Sequence, residues 1–306
     1  MKQYNRILVV AEPKKDVQVA LKRALDITRF NPRAVITFLR VAYDYSYDLL
    51  ILNKLKEKPV HDDIEQTYIE SMEKTIELYR NQCNSETTII PKVVESKDVG
   101  EAVVDEINGG KYDLIIKAAN HHGVLDSIIF TPIDWYILRK SQIPVIIAKD
   151  TNFAEGGNIV VCVDFSVKEH SLANTAMLRE AQILAKLTKG TIHLVNSAPV
   201  YLPSIMLEVP HYSPALYEEN VVKEHKNRLR AFAQKHHIPE SQCHTREGMP
   251  DDVIPQICNE LNARAVFIGS AGRTGVMAAL IGNTCEEIVD DIDADLYVLN
   301  SKTINK

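Results

Sequence analysis

Arg6-Ile-Leu-Val-Val-Ala-Glu12 returns 152 residues later as Asn158-Ile-Val-Val-Cys-Val-Asp164. Each is an unbroken aliphatic run closed by an acid. Continuous rather than alternating apolar residues mark a strand covered on both faces, as in a parallel sheet. A helical stretch follows each run, at about 15–30 and 168–188, and then a second strand, Ala34-Val-Ile-Thr-Phe-Leu-Arg-Val41 and Thr191-Ile-His-Leu-Val-Asn196. The same offset returns late in each half, where Tyr112-Asp-Leu-Ile-Ile-Lys117 matches Arg264-Ala-Val-Phe-Ile-Gly269 and His122-Gly-Val-Leu125 matches Thr274-Gly-Val-Met277. Each half closes on a short apolar strand, Val145-Ile-Ile-Ala148 and Leu296-Tyr-Val-Leu299. Between strands lie amphipathic stretches, one carrying Ile64, Tyr68, Met72, Ile76 and Tyr79 at spacings of three and four. A chain that repeats this β–α alternation predicts two tandem doubly wound α/β domains.

The 306 residues suit two domains at roughly 100–200 residues each. The join is expected in Asp150-Thr-Asn-Phe-Ala-Glu-Gly-Gly157, giving domains 1–150 and 151–306. Hydrophobic residues make up 45% and charged residues 25%, enough apolar material for two cores. A net charge of −6 disfavours a surface that coats nucleic acid, which needs a basic face. No run approaches the ~18–20 apolar residues of a membrane span. Five apolar residues, Ile7 to Ala11, precede Glu12 and Pro13. A secretory core needs about 7–15, so a cytoplasmic location is expected. Cys83, Cys162, Cys243, Cys258 and Cys285 are scattered and read as reduced structural thiols. His236, His237 and His244 lie in a polar stretch and read as a solvated loop, so no tightly bound metal is expected.

In an open parallel sheet, ligands sit beyond the carboxyl ends of strands where the winding reverses. In the second half Asp164 stands there, with Ser166 placed to cap the next helix. After the fourth strand comes Gly269-Ser-Ala-Gly272-Arg-Thr-Gly275, and ten residues beyond Gly272 stand Gly282, Asn283 and Thr284 at the start of another helix. Glycine lets backbone approach a ligand, free N–H groups at a helix start cradle phosphate oxygens, and Arg273 adds a charged donor.

Gly269-x2-Gly272-x9-Gly282 after a fourth strand, with Asp164 after the first, resembles the universal stress protein family in its tandem-domain form. The resemblance spans essentially the whole chain. It implies Rossmann-like domains, each with a five-stranded parallel sheet ordered 3-2-1-4-5, so that strands 1 and 4 flank the switch point. It also implies ATP, with Mg²⁺ as its counterion, as ligand of the second half. Asp164 would then meet the adenosine, Val195 and Asn196 would line the base pocket, and Gly269, Gly272 and Gly282 would offer backbone to the phosphates. The family pattern has Ser or Thr where this chain has Asn283; an Asn amide also donates to phosphate, and Thr284 adjoins it. In the first half the corresponding residues are Glu12, Lys117, Asn120 and Phe130, and a phosphate cradle is not expected.

The chain has no GxxxxGK[ST], no GxGxxG and no GxSxG, and no base–nucleophile–orienter set is evident at the cleft. With the resemblance, this implies a non-enzymatic stress-response protein binding a small ligand. Two alternatives stay open. The proline-rich, aliphatic stretch from Asn196 to Leu216 suits a lid over a site for an amphiphilic or lipid-like metabolite. Alternatively, the chain is a protein-interaction scaffold whose last strands, Val145–Ala148 and Leu296–Leu299, pair within the chain as a pseudo-dimer, with room for a higher oligomer.

Overall fold

The computed structural model describes residues 4–13, 17–29, 31, 33–42, 60–83, 86–121, 128–129, 131–151, 155–166, 170–200, 213–269, 288 and 291–304. It divides into two compact units, Met1–Phe153 and Ala154–Lys306.

The first unit runs β1 (Arg6–Val10), α1 (Val19–Thr28), β2 (Val35–Ala42), α2 (Val60–Cys83), β3 (Thr88–Glu95), α3 (Val99–Gly109), β4 (Leu114–Ala118), α4 (Pro132–Lys140) and β5 (Val145–Ala148). Its strands lie in the order β3-β2-β1-β4-β5, every neighbouring pair parallel. The second unit repeats this with β6 (Asn158–Cys162), α5 (His170–Thr188), β7 (Thr191–Ala198), α6 (Pro214–Lys235), β8 (Cys243–Glu247), α7 (Pro250–Glu260), β9 (Ala263–Gly269), β10 (Asp295–Leu299) and a terminal turn of helix, α8 (Ser301–Ile304). The order is β8-β7-β6-β9-β10, again all parallel. Both units are thus doubly wound, Rossmann-like α/β folds with the 3-2-1-4-5 order. Among the described residues no helix is long and apolar enough to cross a membrane.

The central strands explain the continuous apolar runs. Ile7, Leu8 and Val9 in β1, and every residue of β10, are buried, because helices cover both faces. Phe267 and Tyr297 stack on neighbouring strands with ring centroids 4.4 Å apart, filling one layer of the second core. Gly157 precedes β6 with φ +88°, and a Cβ there would lie 2.6 Å from Arg264 Cγ. Both its conformation and its packing therefore select glycine.

Two strands differ from the sequence expectation in having no unbroken aliphatic run, β3 being interrupted by Pro91 and Lys92 and β8 having no aliphatic residue. β3 and β8 are the outer strands of their sheets, and most of their residues are half-buried or exposed. The first unit also carries a short antiparallel pair, Asn120–His121 with Ile128–Ile129, just after β4.

A candidate ligand site at the carboxyl end of the second sheet

β6 and β9 are hydrogen-bonded neighbours, so the residues that follow each come together at the winding reversal. Asp164 lies just beyond β6, and its peptide is held by one side chain. Asn174, fully buried in α5, accepts from Asp164 N–H at 3.1 Å and donates to Asp164 C=O at 2.7 Å. The clamp leaves the Asp164 carboxylate half-exposed. Its Oδ1 accepts from Ser166 N–H at 2.8 Å, and its Oδ2 faces the Ser166 hydroxyl at 3.0 Å and His170 Nδ1 at 2.7 Å. Ser166 was expected to cap the next helix. Its hydroxyl donates to Asp164, and residues 167–169, whose amides such a cap would bond, lie outside the described residues.

The Asp164–His170 pair is a feature the sequence reading missed. A carboxylate on Nδ1 orients the imidazole and leaves Nε2 without a partner among the described residues. Among the described residues the hydroxyl beside this pair belongs to Ser166 and turns to the carboxylate rather than to the ring, so no described group completes a triad.

Asn196 ends the apolar part of β7 and is 2% exposed. Its Nδ2 donates to Val163 C=O at 2.8 Å, which turns Oδ1 toward His225 Nδ1 at 2.8 Å. That contact sets the ring: Nδ1 carries the proton, and the neutral His225 presents a lone pair at Nε2. Burial holds the His225 pKa below its ordinary value, helped by the nearby Arg228 cation and opposed by Asp164 and Glu224. Arg228 in turn donates to Phe165 C=O at 2.9 Å and pairs with Glu224 at 2.8 Å. Val195 is buried, and its C=O accepts from Val163 N–H at 2.9 Å. Gly269 closes β9; among the described residues a Cβ there would touch the Met177 thioether, at 3.3 Å from Sδ. Asp164, Val195, Asn196 and Gly269 are thus all at the carboxyl end of this sheet. Gly272, Arg273, Gly282, Asn283 and Thr284 lie outside the described residues, as do 201–212 of the lid segment.

The first unit repeats the clamp with different residues. Gln18 Oε1 accepts from Glu12 N–H and its Nε2 donates to Glu12 C=O, both at 2.8 Å. Glu12, however, turns its Oε2 to the Val19 N–H at the start of α1, at 2.7 Å. At the end of β4, Lys117 Nζ lies 2.6 Å from Asp134 Oδ1, an ion pair with side chains 12% and 1% exposed.

His244, expected in a solvated loop, is instead half-buried in β8. Its Nε2 lies 3.0 Å from His193 Nδ1 of β7, and His193 Nε2 faces Asn158 Oδ1 at 3.1 Å. Asn158 is oriented by its own donation to Leu261 C=O at 2.6 Å. Among the described residues no group of three or more His, Cys, Asp or Glu is placed to hold a metal ion. Burial depresses both pKa values, aided for His193 by His244 and for His244 by Arg246, against the pull of Glu260. A histidine with a depressed folded pKa contributes stability above its unfolded value near 6.5, and that stability is lost as the pH falls below it. The urea midpoint of the second unit should accordingly fall between pH 7.5 and pH 5.5, and His244→Gln should shrink that fall. An unchanged pH dependence would show that this pair does not couple to folding. Of the cysteines, Cys258 is buried with its thiol pushed up to about 12, which makes it unreactive.

Comparison with known proteins follows the repeat. The profile of the universal stress protein family matches residues 3–149 and again 157–300. The chain belongs to the universal stress protein family. It is 34% identical over 303 residues to Universal stress protein E of Escherichia coli K12, covering 98% of this chain and 95% of that one. It is 31% identical to the Universal stress protein E homolog of Haemophilus influenzae, covering 96% of each. Among solved structures, a functionally unknown protein of Pseudomonas aeruginosa PAO1 superposes with a TM-score of 0.71 at 25% identity, over 99% of this chain and 95% of that one. A universal stress protein of Archaeoglobus fulgidus superposes at 0.62 with 17% identity over 97% of each chain, a likeness of fold. The two halves of this chain are therefore two universal stress protein domains in tandem, with polar groups arranged differently at their carboxyl ends.

Proposed function

We propose that this universal stress protein binds an adenine nucleotide, ATP in the first instance, in its second domain and acts through binding rather than turnover, in the cytoplasm. The observation that carries this reading is the clamped, half-exposed Asp164 beside Gly269 at the switch point. Asp164 would meet the adenosine, with Val195 and Asn196 along the base. Gly269, Gly272 and Gly282 would give backbone to the phosphates, and Arg273, Asn283 and Thr284 would donate to them. His225 Nε2, a lone-pair acceptor fixed through Asn196, suits a ligand amino group such as that of adenine and disfavours a carbonyl in the same place. The Asp164 carboxylate is already engaged by Ser166 and His170, so Mg²⁺ would arrive on the phosphates rather than on a protein cage.

Calorimetric titration with ATP and Mg²⁺ is expected to give one site per chain with a micromolar Kd, roughly −8 kcal/mol. GTP should bind at least about ten-fold more weakly. Gly282→Phe should abolish binding with the circular dichroism spectrum intact. Unchanged affinity in that variant would refute the phosphate assignment. Absence of binding by calorimetry and by equilibrium dialysis would refute the nucleotide reading itself.

A further inference from the structure

We propose that His170 is a specificity-determining residue of the second domain, which with Asp164 receives the two hydroxyls of a ribose and so selects ribonucleotides over their deoxy analogues. The proposal rests on the nucleotide reading above and names the sugar that site takes. An ionised carboxylate has about four acceptor positions. On Asp164 the Ser166 N–H takes one at Oδ1, and the Ser166 hydroxyl and His170 Nδ1–H fill Oδ2. One position remains, on Oδ1 of a side chain that is 53% exposed. Because Nδ1 donates to the carboxylate, the neutral ring keeps its lone pair at Nε2, which has no partner among the described residues.

The side-chain donors of this unit are thus spent on the carboxylate, and it offers two acceptors, one on each side chain. Such a pair repels a phosphate or a carbonyl and receives hydroxyls. Its place in the fold agrees. His170, Asn174 and Met177 follow at spacings of four and three along one face of α5. Asn174 holds the Asp164 peptide, and Met177 Sδ is the atom a Gly269 Cβ would meet at 3.3 Å. This face therefore runs beneath the crevice between β6 and β9, with His170 at its outer end against Asp164. With the base along Val195 and Asn196 and the phosphates toward Gly269, the sugar falls to this pair. In the first domain the corresponding Glu12 gives Oε2 to Val19 N–H, so that carboxylate serves the chain itself.

The test is calorimetric titration of the full chain with ATP and with its 2′-deoxy and 3′-deoxy analogues, each with Mg²⁺. Wild type should bind either analogue at least about ten-fold more weakly than ATP, because each leaves one acceptor without its hydroxyl. His170→Leu should erase at least one of these preferences, that of the hydroxyl which Nε2 accepts, with the circular dichroism spectrum intact. In wild type the nitrogen NMR resonance of His170 Nε2 should move on adding ATP and stay in place on adding 2′,3′-dideoxy-ATP. That measurement decides the matter even if the variant does not fold. Equal binding of all three nucleotides, preferences that both survive in His170→Leu, or an Nε2 resonance that ignores ATP overturns the proposal and leaves the nucleotide reading standing. ATP that does not bind at all removes the nucleotide reading, and this proposal with it.

Discussion

Asn174→Leu is expected to destabilise the second domain by about 1–2 kcal/mol, because it strands a part-buried backbone N–H and C=O together. It should also weaken nucleotide binding there by at least about ten-fold, since the Asp164 peptide loses its only side-chain clamp among the contacts described. Leucine keeps the branched shape of asparagine without its polar atoms, so no cavity is created and the lost hydrogen bonds carry the effect. Gln18→Leu makes the same cut in the first domain, where Gln18 holds both polar groups of the Glu12 peptide at 2.8 Å. It should cost a similar amount of stability and leave nucleotide affinity unchanged. Urea denaturation and ATP titration of the two variants side by side check both statements. Equal effects on binding would mean that the clamp acts through global stability rather than through Asp164.

Arg23→Met should destabilise the first domain by about 3 kcal/mol. Arg23 is 2% exposed, and its Nη2 donates to the carbonyls of Lys149 and Thr151, both at 3.0 Å, just after β5. Methionine keeps the stem but leaves those carbonyls without that donor. The guanidinium also lies 3.4 Å from Asp26 Oδ2. Burial raises the Asp26 pKa and Arg23 holds that rise back, so the variant should push the Asp26 pKa higher still. Urea denaturation reads the first effect and NMR titration of Asp26 the second. A lower Asp26 pKa in the variant would contradict the electrostatic part of this account.

Much of the architecture was legible. The centres of strands β1, β4, β5, β6, β9 and β10 are buried on both faces, so the side chains there are apolar, and the pattern shows in the chain itself. The outer strands could not be read this way. β8 is Cys-His-Thr-Arg-Glu, with no aliphatic residue, and β3 contains Pro91 and Lys92. Each has a sheet neighbour on one described side only and needs little apolar cover, so its strand state comes from backbone pairing that leaves no side-chain period. Their place in the 3-2-1-4-5 order followed from family resemblance rather than from the residues.

The candidate site divides along the same line. Asp164 and Gly269 were legible because each follows an apolar run, which is where a doubly wound sheet places its ligands. Asn174 left a weaker trace. It is a polar residue on a helix face otherwise made by Ala173, Ala176, Met177 and Ala181, and a buried amide requires partners. His170 and His225 left none, being ordinary helix residues in exposed-looking company.

The sequence by itself determined that the chain repeats, which central strands are covered, and that a helix follows the first strand of each half. Those properties follow from side-chain period. Only the tertiary structure decided that Asn174 and Gln18 clamp the two acidic turns, that His244 meets His193 across strands, and that Lys117 closes on Asp134. Each is a polar group desolvated by folding, and its partner is chosen by proximity in space, for which the chain order carries no signal.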